Sequence, residues 1–62
     1  MFIEIPIANT KRKALVNVNN IVSIDENRLK QTEIYTSGDY MITTSLSFED
    51  IKKLLEKGLL YE

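Results

Sequence analysis

The 62-residue chain has no cysteine, no histidine and no tryptophan, and only two glycines and one proline. Without cysteine there is no disulfide to staple a small core. Without cysteine and histidine, transition-metal sites lose their usual ligands. Nucleophile–base pairs of the Ser–His or Cys–His kind are missing for the same reason. Gly38 and Gly58 stand too far apart to build a G-x-x-x-x-G-K-[ST] or G-x-G-x-x-G phosphate loop. Carboxylate pairs do occur, at Asp25–Glu26 and Glu49–Asp50, and paired acids in principle do acid–base work. The first pair falls in a polar stretch and the second in the first turn of an expected helix, where acidic side chains are ordinary. The chain is therefore expected to be non-enzymatic, with no cofactor and no metal.

Long apolar runs are missing too. None approaches the roughly 18–20 residues of a membrane span. The segment "MFIEIPIANTKRK" places Glu4 and Pro6 inside its apolar run and does not read as a signal peptide. These features point to a soluble, cytoplasmic protein with no membrane insertion. Eight basic and nine acidic side chains give a net charge of −1, which counts against a general nucleic-acid binder.

What is present is an ordinary globular composition, 44% hydrophobic and 27% charged, in a chain long enough for one domain over residues 1–62. A core this small often supplies only about 3–5 kcal/mol. With disulfides and metals set aside, oligomerisation is the remedy left.

Periodicity supplies the elements. "FIEIPI" (2–7) puts Ile3, Ile5 and Ile7 on one face and Phe2, Glu4 and Pro6 on the other, a strand with one buried face. Pro6 cannot donate to a ladder, which places this strand at an edge or has it start to leave the sheet at that point. "ANTKRK" (8–13) is a polar hairpin connection. "ALVNVNNIVSI" (14–24) reads as a second strand region, with a bulge or tight bend at Asn19–Asn20. "DENRLKQ" (25–31) reads as an exposed loop, "TEIYT" (32–36) as a third strand, "SGD" (37–39) as a turn and "YMITT" (40–44) as a fourth strand.

The clearest design is "LSFEDIKKLLEKGLL" (46–60). Ser47 fits an N-cap, Asp50 the third helical position, and Leu46 with Ile51 a hydrophobic staple. Phe48, Ile51, Leu54 and Leu55 recur at helical spacing as one apolar stripe. Gly58 is expected to end the helix in a left-handed C′ conformation, folding Leu59 back onto Leu54. The expected fold is α+β: a small twisted antiparallel β-sheet of about four strands with one C-terminal helix over about residues 47–57.

That helix covers only one sheet face, while apolar bulk falls on both faces of the fourth strand. Met41 and the terminal Leu59, Leu60 and Tyr61 are surplus, and such surplus marks an interface. The expected role is protein–protein interaction by a homo-oligomeric accessory or regulatory protein, with itself and another protein as partners. A nucleic-acid-binding module is the alternative, with Lys11, Arg12 and Lys13 clamping phosphates and Tyr35 and Tyr40 stacking on bases. The commoner uses of these residues are a solvated turn and half-buried packing. A small-ligand-binding oligomer with pockets between subunits is a further alternative.

Taken together, "ALVNVNNIVSIDE" and "TEIYTSGDYMITTSLSFEDIKKLL" resemble the small flagellar FlbD family over roughly residues 14 to 55. Its pattern of an Asn-containing strand, a "T.I.L..G" hairpin and an "S.EE" helix start is met by Asn17, Ile21, Ile24, Asp25, Thr32, Ile34, Gly38, Ser47, Glu49 and Asp50. Where that family tends to carry a Gly-containing first turn, this chain has "NTKRK". The resemblance implies a small β-rich fold in a bacterial, flagellar setting. The same segments are more faintly similar to the last part of LytTR-type DNA-binding domains.

Overall fold

A computed structural model describes residues 1–61, with side chains described through residue 57. The fold is α+β and antiparallel throughout. It comprises five strands, β1 (Phe2–Pro6), β2 (Lys13–Asn17), β3 (Ile21–Glu26), β4 (Thr32–Thr36) and β5 (Tyr40–Thr44), followed by α1 (Phe48–Tyr61). The strands form two sheets rather than one: a β1–β2 hairpin and a three-stranded β3–β4–β5 meander. They are joined along the chain by a 3₁₀ turn at Val18–Asn20, and laterally by an Ile7–Thr44 bridge.

The expected second strand of residues 14–24 is thus two strands separated by a corner. Asn17 makes it: its side-chain oxygen accepts the Asn19 amide at 3.0 Å, the local bond that lets asparagine compete with a ladder. The Ser37 amide donates to the Asn20 carbonyl, so the corner is tied to the β4–β5 turn. A register shift between Ile21 and Ser23 adds a bulge at the start of β3.

Both turns of the meander use local chemistry. Asp25 and Glu26, expected in a loop, extend β3 instead, and the loop shrinks to residues 27–31. The Asn27 side-chain oxygen accepts from the amides of Leu29 and Gln31, each at 2.9 Å, and so does the work of a longer connection. In the β4–β5 turn Gly38 and Asp39 take φ of 82° and 61°, the left-handed pair that tight hairpins favour.

The core forms between the two sheets. Ile3, Ile5 and Val16 from the hairpin meet Ile34 and Ile42 from the meander, and Ile51 from α1 completes the buried cluster. The hairpin, as well as the helix, therefore contributes to covering the meander's inner face. Thr32 and Thr44, directly paired and fully buried, sit among these isoleucines. The Thr32 hydroxyl donates to the Leu46 carbonyl at 2.8 Å, and the Thr44 hydroxyl accepts the Leu46 amide at 3.2 Å. Two sheet residues thus clamp the connection that launches the helix.

The helix start is as expected. The Asp50 amide donates to the Ser47 hydroxyl at 3.1 Å, and the Ile51 amide to the Ser47 carbonyl at 3.1 Å. Its end is not. The helix continues through Gly58 to Tyr61, so the left-handed stop at Gly58 is not made. Glycine inside a helix costs only about 1 kcal/mol relative to alanine, and the leucines beyond it are good helix formers. Among the described residues no helix is long and apolar enough to cross a membrane.

Candidate functional site

Hydrogen-bond parity decides which main-chain groups of each strand are free. The Ile7 amide donates to the Arg12 carbonyl and the Val18 amide to the Met1 carbonyl, bracketing an unbroken β1–β2 register. Alternation then turns Ile3, Ile5, Ala14 and Val16 toward the shared ladder, and Phe2, Glu4, Pro6, Lys13, Leu15 and Asn17 away from it. Pro6 consequently occupies a position whose N–H the ladder does not need, which explains how it sits inside a strand.

Three of the four strand edges are obstructed. The outward side of β1 carries Pro6 and closes on β5 through the Ile7–Thr44 bridge, where the Ala8 amide donates to the Thr43 carbonyl at 2.8 Å. The same bond occupies the edge of β5. The edge of β3 is broken by its bulge, and α1 packs beside that strand. Bulges, prolines and covering elements are the devices by which proteins blunt such edges. The edge of β2 is interrupted only at its last residue, where the Asn17 carbonyl accepts within the 3₁₀ turn. Among the described residues no strand pairs with it, its register is regular over all five residues, and Lys13 guards its first position.

Exposed apolar side chains lie on the same hairpin. Leu15 is 71% exposed and Phe2 61%. Phe2 pairs with Asn17 and Leu15 with Glu4, so the two are diagonal neighbours on the outer face, roughly 7–8 Å apart. Neither was singled out from the sequence. The signal was available: in "KALVN" Leu15 is the one large apolar residue on the side of the alternation that Lys13 and Asn17 make polar.

The residues that were singled out are dispersed. Met41 is 44% exposed on the outer face of the meander, paired with Tyr35. Leu59, Leu60 and Tyr61 were the other expected interface residues, and their side chains lie outside the described residues. Lys11, Arg12 and Lys13 are exposed along the β1–β2 hairpin. Tyr35 and Tyr40 do not form one stacking platform. Tyr35 pairs with Met41 and Tyr40 with Thr36, which places the two rings on opposite faces.

The meander's outer face satisfies itself. The Tyr35 hydroxyl donates to a Glu33 carboxylate oxygen at 3.1 Å, and the Asn27 amide group donates to the other at 3.4 Å. The bond to Glu33 and that residue's negative charge hold the Tyr35 phenol above its ordinary value of 10.0. The Thr43 hydroxyl donates to the Met41 sulfur at 3.4 Å. No ligand-sized pocket opens among the described residues, so pockets of the kind first considered would have to form between chains.

No family model, curated protein or solved structure matches this chain.

Proposed function

We propose that this chain is a non-enzymatic accessory or regulatory protein of the bacterial or phage cytoplasm that works by protein–protein contact and associates with itself. One observation carries the reading: the β2 edge is open up to the 3₁₀ turn at Asn17, and it borders the exposed pair Leu15 and Phe2. An open strand edge binds through main-chain hydrogen bonds, and alternate side chains beside it select the partner. An FlbD-like flagellar setting belongs to the same proposal, supported by the shared Asn-corner, hairpin and Ser-capped helix.

Light scattering over a wide concentration series tests it. The expected result is a molar mass that rises above that of a single chain as concentration increases, with little change at high salt. A mass equal to one chain at every concentration overturns self-association. Binding that weakens steeply with salt and requires Lys11–Lys13 would instead indicate phosphate contacts.

A further inference from the structure

We propose that two copies of this chain join β2 to β2 in antiparallel register, with Leu15 on the two-fold axis. This inference rests on the self-association reading above and adds the surface, the occupant and the register.

The outward residues of β2 are Lys13, Leu15 and Asn17, and their order is self-complementary. Pairing about Leu15 sets Leu15 against its own copy and Lys13 against the Asn17 of the second copy. Leu15 then exchanges both its N–H and its C=O with its copy, and the Asn17 amide donates to the Lys13 carbonyl of the second copy, while the Asn17 carbonyl already accepts within the 3₁₀ turn. No like charges stand opposite each other. Parallel in-register pairing would set Lys13 against Lys13, which is destabilising. A slip of one residue breaks the parity, and a slip of two loses one pair to the loop or to the 3₁₀ corner.

Side chains agree with this register. On the outer face Phe2 and Leu15 of one copy run into Leu15 and Phe2 of the other, so four exposed apolar groups become one diagonal strip. The fold gains as well. A two-stranded ribbon is marginal by itself, and pairing turns two such ribbons into one four-stranded sheet. Because the contact is isologous it closes at two copies and does not propagate.

Disulfide trapping tests the register directly, because the chain has no cysteine of its own. Directly opposed residues of a hydrogen-bonded pair lie about 5.5 Å apart at Cα, inside the range a disulfide spans. Under oxidised glutathione, which takes up the two electrons released as two thiols join, Leu15→Cys is expected to give a covalent dimer. Lys13→Cys alone and Asn17→Cys alone are expected to give none, while their mixture gives the mixed disulfide. A second variant, Leu15→Pro, removes an N–H that the β1–β2 ladder does not use. It is expected to stay folded by circular dichroism and to become monomeric, whereas Leu15→Ala keeps some dimer.

Lys13→Cys homodimers as abundant as those of Leu15→Cys would overturn the register. Wild-type dimers combined with no trapping at any of the three positions, or with dimeric Leu15→Pro, would overturn the β2 edge and leave self-association standing. A wild-type chain that is monomeric throughout overturns both.

Discussion

The two sheets of this protein treat their outer faces in opposite ways. On the meander, Tyr35 bonds to Glu33, Glu33 also accepts from Asn27, and Thr43 donates to Met41, so polar and semi-polar groups engage one another. On the hairpin, Phe2 and Leu15 stand exposed beside a bare main-chain edge. The inner faces are alike, since isoleucines of both sheets, with Val16 of the hairpin, are buried in one core. Stability therefore comes from the shared interior. The meander exposes apolar groups too, Val22 at 71% and Tyr40 at 60%, but on a bulged strand and beside a tight turn rather than along a regular open edge. The lesson is that apolar exposure is informative chiefly where the adjoining backbone is unpaired too.

Substitutions can break or sharpen this contrast. The largest effect is expected in the interior. Ile34→Ala on the central strand of the meander should lower unfolding free energy by about 2–5 kcal/mol in urea denaturation. For a core this small that approaches complete unfolding. A loss under about 1 kcal/mol would mean that the meander is not the centre of the fold. Thr32→Val should cost about 1–3 kcal/mol, because the buried Leu46 carbonyl loses its hydroxyl donor. A neutral result would show that the clamp on the helix connection is dispensable. Ser47→Ala should cost about 0.5–2 kcal/mol through the N-cap, read as a lower thermal midpoint. On the hairpin's outer face, Leu15→Ser should change the stability of the dilute chain by no more than about 0.5 kcal/mol. A large loss there would make Leu15 a structural residue and erase the contrast.

The smallest expected effect is a pH response on the meander's outer face. Tyr35 titrates above 10.0 in the fold because the neutral phenol donates to Glu33. Its stabilising contribution is therefore complete below pH 10 and fades as pH climbs through the raised value. The stability gap between wild type and Tyr35→Phe should narrow above pH 10. A gap that widens there would reverse the sign of the interaction.

Much of the architecture was legible because it is encoded locally. β4, β5 and the Ser47 cap each depend on residues within a few positions, and all three were read at the right places. The corner at Asn17–Asn20 was read as a bend but not as a division between sheets. Val16, Val18 and Ile21 are all apolar, and no local feature says which layer each joins. That choice belongs to the Ile7–Thr44 bridge and the buried isoleucines, which are distant in sequence. Gly58 misled because a glycine after a leucine-rich turn suits a helix stop and a helix interior almost equally. The candidate surface was missed for a related reason. Leu15 looks like any strand leucine until pairing shows which way its backbone points.

The clamp formed by Thr32 and Thr44 has a consequence for how freely the helix can leave the sheet. A connection of three residues between the last strand and a terminal helix is the sort of hinge through which chains trade segments. Here the hinge is bolted at Leu46 by hydroxyls rooted in two paired strands, so the helix swings away only if the sheet itself opens. Exchange of the helix between chains would first have to break both Leu46 bonds.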